Sequence, residues 1–124
     1  MHFSTDKKLS APPSEIIEIS ERLEKVLRAV GAARARRQLT VEEAFIFLAI
    51  GFLGISNSRS GVAVTVVSCI DIAEVLKIPR ETVRRKVVNL VEMQLVSMTT
   101  RGVILEALDE WRALAAAILQ YKSY

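Results

Sequence analysis

One cysteine and one histidine stand in a chain of 124 residues. With Cys69 alone no intrachain disulfide can form, and a reducing, cytoplasmic setting fits such a chain. Cys69 and His2 are also too few for the usual zinc sites, so no metal and no cofactor are expected. Catalysis finds as little to build on. No histidine lies near a plausible nucleophile, and there is no glycine-rich phosphate loop. The carboxylates fall on solvated helix faces at spacings that pair them with Lys or Arg. No catalytic residue is nominated, and the chain reads as a non-enzyme.

Aromatic residues make up only 6% of the chain. The longest apolar run, AFIFLAIGFLGI at residues 44–55, falls short of the roughly 20 residues that a membrane span needs. No membrane partner is expected. A net charge of +3 and a pI near 9.3 exclude a strongly basic tail. No secretory signal is read in the first residues, and no internal repeat is seen.

Hydrophobic residues make up 51% of the chain, enough for one domain with a real core. Residues 1–13 are polar, hold two prolines and lack periodicity, so they are expected to be loose. Ser14 can cap a first helix. Ile16, Ile19, Leu23, Val26 and Val30 then recur at the three- and four-residue spacing of a coiled-coil seam. On its outside, Glu21 with Lys25 and Glu24 with Arg28 are favourable pairs, each worth about 0.2–0.5 kcal/mol. Gly31 is expected to weaken or end this helix. Arg34, Arg36 and Arg37 read as a solvated helix end that complements the dipole, with phosphate contact as the alternative.

Thr40 followed by Glu43 makes a capping box for a second, buried central helix. Residues 55–61, ISNSRSG, read as a polar turn. Residues 61–67, GVAVTVV, are β-branched enough for a short strand.

The centre of the chain is residues 68–95. Ser68 caps a short helix with Ile72, Ala73 and Leu76 on one face, and Val67 with Ile72 can form a hydrophobic staple. Pro79 stops that helix, because the residue before a proline is pushed out of the helical region. A second helix begins near Arg80, with Val83, Val87, Leu90 and Val91 at helical spacing. That rotation turns Glu81, Arg85, Val88, Asn89 and Glu92 outward, flanked by Thr82 and Arg84. Lys77, Arg80, Arg84, Arg85, Lys86 and Arg101 set six positive charges against Glu81 and Glu92, a local +4 in a chain of net +3. A helix-turn-helix with a cationic second helix suits a DNA major groove.

Residues 96–105, VSMTTRGVIL, read as two β-prone arms around a hairpin tip, with Gly102 for the turn. With residues 61–67 they could form a three-stranded sheet. Arg101 at the tip would make a minor-groove contact. A last helix over residues 106–121 carries the apolar stripe Leu108, Trp111, Ala115, Ile118 and Leu119.

The run IAEVLKIPRETVRRKV, with Leu90 and Leu95-Val96, resembles the winged helix-turn-helix of bacterial transcription regulators. The order of helix, helix, helix-turn-helix, wing and helix resembles the MarR family most closely. The family usually has Gly where this chain has Gln94, a longer Asp-Arg-rich wing, and two helices at the C-terminus. The resemblance implies a mainly α fold with a small β-wing: a winged helix-turn-helix domain over residues 14–124. Its DNA-binding lobe would span residues 39–105, with dimerisation helices at 14–38 and 106–121. It also implies a homodimeric regulator, often a repressor, with a possible small-molecule effector between the dimer helices and the lobe.

On this reading the DNA contacts are Lys77, Arg80, Glu81, Thr82, Arg84, Arg85, Lys86, Asn89 and Arg101. Ile16, Ile19, Leu23, Val26, Val30, Trp111, Ala115 and Ile118 form the dimer seam. The competing reading is a winged-helix adaptor that docks a protein through Val88 and Val91. Cys69 is expected to pack as a small apolar residue, with a redox sensor as the alternative.

Overall fold

The computed structural model describes residues 8–121. The expected loose stretch, residues 1–13, falls largely outside that range, as does His2. Along the described chain run α1 (Pro13–Arg37), α2 (Val41–Gly54), β1 (Ile55–Ser58), β2 (Gly61–Val64), α3 (Cys69–Leu76), α4 (Arg80–Glu92), β3 (Val96–Thr99), β4 (Gly102–Leu105) and α5 (Leu108–Leu119). The architecture is a winged helix-turn-helix, mainly α with small antiparallel hairpins.

Local chemistry explains most boundaries. Thr40 and Glu43 form the full capping box. Thr40 Oγ1 accepts from the Glu43 amide at 3.1 Å, and Glu43 Oε1 accepts from the Thr40 amide at 2.8 Å. Ser68 caps α3 by accepting from the Asp71 amide at 3.1 Å, and Val67 and Ile72 are both buried beside it. Lys77 turns α3 off in the left-handed conformation (φ 57°), and Pro79 is the N-cap of α4. Gln94 takes the left-handed position (φ 62°) usually left to glycine, and the Leu95 amide then closes on the Leu90 carbonyl at 3.1 Å.

The core gathers Ile46, Phe47 and Ile50 of α2, Ile72 of α3, Val83, Val87 and Leu90 of α4, and Leu95, Val96, Val103 and Leu105 around the wing. The expectation of a buried central helix holds for one face of α2. Its inner face is buried, but Val41, Phe45 and Phe52 point outward, Phe52 with 67% of its surface exposed. The elements packed on α2 leave that side of it open.

Two sheet expectations also change. Residues 55–61 are not merely a turn: β1 pairs with β2 in the register Ile55↔Val64 to Ser58↔Gly61, tipped by Arg59 and Ser60. The three-stranded sheet shrinks to a single bridge, Val67↔Val103, closed by hydrogen bonds of 2.7 and 2.8 Å. The reason is Thr65, whose amide and hydroxyl both donate to the Gly54 carbonyl, at 2.9 and 3.0 Å. That anchor returns the chain to the end of α2, so β2 cannot continue along β4. Gly102 (φ 149°) sits so near the bridge that a Cβ there would lie 2.3 Å from the Val67 carbonyl oxygen.

α1 begins at Pro13 with Pro12 as N-cap, so Ser14 is inside the helix rather than its cap. Gly31 does not end it; the helix runs on to Arg37 and closes at Gln38 in the left-handed conformation. Of the expected surface pairs, Glu24–Arg28 forms at 2.8 Å, and Glu18–Arg22 forms at 3.4 Å where Glu21 with Lys25 was expected. α5 starts at Leu108 rather than residue 106, because the Glu106 and Ala107 amides both donate to the Leu95 carbonyl at 3.1 Å.

Trp111 is turned inward. Its Nε1 donates to the Leu48 carbonyl at 3.1 Å, and its ring lies over Gly51. A Cβ on Gly51 would overlap the indole, only 2.0 Å from Nε1. Helix propensity alone favours Ala over Gly by about 1 kcal/mol. We nevertheless expect Gly51→Ala to destabilise the fold by about 1–3 kcal/mol, because the indole must shift in a packed site. A lower urea midpoint at unchanged slope would show it; a raised midpoint would refute this packing.

Candidate nucleic-acid interface

Three fully buried side chains, Val83, Val87 and Leu90, fix the rotation of α4. Helical geometry then sends Arg80, Glu81, Arg84, Arg85, Val88, Asn89 and Glu92 outward, and all are exposed. Thr82 and Lys86 lie half-buried at the edges of that face. Lys77 is exposed in the turn before it. The outer face expected from the spacing is therefore formed.

Its charges are not all free. Arg84 forks onto Glu81 one turn back, with Nε to Oε2 at 3.3 Å and Nη2 to Oε1 at 2.5 Å. The hydrogen bond from Arg84, and then its charge, hold the Glu81 carboxyl below its ordinary range. Such an exposed pair opens at little cost, so both side chains can turn to another partner. Arg80 and Arg85 have no carboxylate among the ion pairs of the described residues.

The wing tip is built around Thr99. Its Oγ1 accepts from the amides of Arg101 at 3.1 Å and Gly102 at 3.2 Å, and donates to the Gly102 carbonyl at 3.1 Å. This leaves Arg101 exposed at the end of the β3–β4 hairpin.

Asn89 is the site residue that the structure reassigns. Its Nδ2 donates to Glu43 Oε2 on α2 at 2.9 Å, which ties this exposed side chain to the fold through one of its two N–H groups. Glu43 is buried, with 3% of its surface exposed. Burial pushes its carboxyl up. The Thr40 amide, the Asn89 side chain, the charge of Lys86 and the Thr40 hydroxyl together outweigh that, and the carboxyl lies below its ordinary value. The sequence shows Glu43 only as a cap; nothing in the spacing marks its second oxygen for α4. Arg37 was likewise missed. It leaves the cationic cluster of Arg34 and Arg36 to donate from Nη2 to the Met93 carbonyl at 3.0 Å, with Nε 3.4 Å from Glu110 Oε2.

The expected dimer seam also changes. Ile16, Ile19 and Leu23 are exposed, joined by Leu27, and Val26 is half-buried. Val30 is buried within its own chain, so it cannot belong to a free seam. Trp111, Ala115 and Ile118 are half-buried, with Trp111 and Ile118 packed against the core of the same chain; Leu108 and Leu119 of the expected stripe are exposed. Cys69 is half-buried at the start of α3. Burial pushes its thiol up by more than Arg80 and Arg84 pull it down, which favours the unreactive protonated form.

No helix among the described residues is long and apolar enough to cross a membrane. No protein-family model and no curated protein matches the chain. The chain is similar to the crystal structure of a CRP-family transcriptional regulator from Thermus thermophilus, at 23% identity and a TM-score of 0.46. The match covers 88% of this chain and spans 58% of that one. A likeness of this size assigns no family.

The lowered carboxyl of Glu43 gives stability that is fully present above the unfolded-state value, near 4.5, and is lost as pH falls through the folded value. Glu43→Gln should therefore destabilise the chain at about pH 7 by about 1–3 kcal/mol. The gap to the parent should narrow toward about pH 3, as the parent's own carboxyl protonates. A gap that stays constant across urea melts at the two pH values would rule out the charged latch.

Proposed function

We propose that the chain is a sequence-specific DNA-binding transcription regulator that works as a homodimer. One observation carries the reading: over a buried apolar ridge, α4 turns Arg80, Arg84 and Arg85 to solvent. In this reading α4 lies in the major groove, with Arg84 and Arg85 contacting bases or adjacent phosphates and Glu81 a base edge. Lys77, Arg80, Thr82 and Lys86 hold the backbone, and Arg101 of the wing reaches the minor groove.

The dimer rests on α1. Its C-terminal part packs beside α5, and the stretch before it keeps Ile16, Ile19, Leu23 and Leu27 uncovered at helical spacing. A second copy of that stripe is a natural cover for it. The order of elements supports a MarR-like arrangement, and repression is the usual mode of that family.

A second reading, a winged-helix adaptor for a protein partner, draws on the outward Val88 of α4 and on Phe45 and Phe52 of α2. Salt separates the two. DNA binding weakens steeply as salt rises, and an apolar dock does not.

Fluorescence anisotropy with duplex DNA across a salt series tests the proposal. Arg85→Ala should weaken binding to a preferred duplex by about 1–3 kcal/mol and relax preference at one base pair. Lys86→Ala should weaken all sequences alike and lower the salt slope by about 1. Folded variants that bind like the parent would shift the case to the adaptor.

Leu23 is 53% exposed in one chain, so Leu23→Asp should leave the monomer folded and dissociate the dimer. Sedimentation at micromolar concentration should show a dimeric parent and a monomeric variant. A monomeric parent would remove the dimer from the reading.

A further inference from the structure

Two polar contacts reach α4 from one place, the corner between α1 and α2. Arg37 closes α1, donates to the Met93 carbonyl at 3.0 Å and lies 3.4 Å from Glu110 on α5. Glu43, in the first turn of α2, accepts from Asn89 at 2.9 Å. Asn89 and Met93 are one helical turn apart, so the corner grips the end of α4 at two successive levels. The Met93 carbonyl is among the last of that helix, which have no partner within it.

The apolar ridge of α4 fixes which face is buried. Apolar contact is not directional, however, and a ridge of valines and a leucine can tilt or slide on its neighbours. Hydrogen bonds are directional, and the one to Glu43 is charge-assisted and drawn to a buried acceptor.

The geometry points to Arg37 and Asn89 as positioning residues, which hold α4 at a set angle to α1 and do not touch DNA. The inference rests on the reading of α4 as the DNA-reading helix. If α1 is the dimer arm, that angle fixes how far apart two copies of α4 stand, and with it the half-site spacing. Swinging Asn89 toward a base would strip Glu43 Oε2 of its side-chain donor, so the amide is kept at home.

The test uses the full chain as Asn89→Ala, Arg37→Ala and Arg37→Lys, each shown folded by circular dichroism. The first readout needs no DNA. Amide exchange over the last turn of α4 should quicken about tenfold in the two Ala variants. Arg37→Lys, which keeps one donor for Met93, should recover part of the protection. The second readout is anisotropy, with a duplex that the parent selects from a random-sequence pool and with an unselected duplex. Both Ala variants should lose about tenfold on the selected duplex, stay within about twofold on the unselected one and keep the parent's salt slope.

Unchanged exchange with unchanged binding would overturn the proposal. So would relaxed preference at one base pair with exchange unchanged in Asn89→Ala, the mark of a base contact. A salt slope lower by about 1 in Arg37→Ala would make that residue a phosphate contact instead. A parent that binds no duplex overturns the DNA reading alone, and the exchange data still decide whether the corner holds the helix.

Discussion

Burial of Val83, Val87 and Leu90 beneath α4 is the constraint from which the rest of the lobe takes its order. Each of these side chains is withdrawn completely from water, a gain of about 1.5–3 kcal/mol apiece on area arguments. Because a helix is rigid, three anchored positions settle the direction of every other side chain on it. The cationic outer face is thus a by-product of the core. α2 supplies the floor, α3 the side wall, and the Val67↔Val103 bridge ties the wing to the start of α3.

Polar groups refine what the apolar core leaves loose. Glu43 is buried and still ionised at neutral pH, because Thr40 and Asn89 satisfy its oxygens and Lys86 lies near. A buried carboxylate is tolerated only when its partners are complete. Here they come from both α2 and α4, which makes one side chain serve as helix cap and interhelical tie. On the outer face the logic is opposite. Glu81 and Arg84 pair in full solvent, where the attraction is weak and easily exchanged for another partner.

α1 shows the remaining tension in the molecule. Part of it is covered by α5, and the other part carries Ile16, Ile19, Leu23 and Leu27 into solvent. Single exposed apolar residues are ordinary, but a row at helical spacing is an unfinished contact. The same holds, on a smaller scale, for Phe45 and Phe52 on the outside of α2. In the proposed homodimer a second copy would cover the row on α1, and two lobes held at a fixed separation would gain specificity on DNA.

The sequence by itself determined the local order. Thr40 with Glu43, Ser68 with Asp71, and Pro79 placed the helix starts through caps and a fixed φ, which depend on neighbours within three residues. The spacing of Val83, Val87 and Leu90 likewise determined the outward set on α4, because helical periodicity is a property of one segment. Only the tertiary structure decided what depends on distant pairs. Thr65 turning back to Gly54 removed the third strand, and the indole of Trp111 found the Leu48 carbonyl within its own chain. Asn89 faces outward on α4 by its spacing, and its partner Glu43 lies 46 residues away on another helix. Hydrogen-bond partners across the fold have no signature in local spacing; they exist only once packing has brought the two groups within about 3 Å of each other.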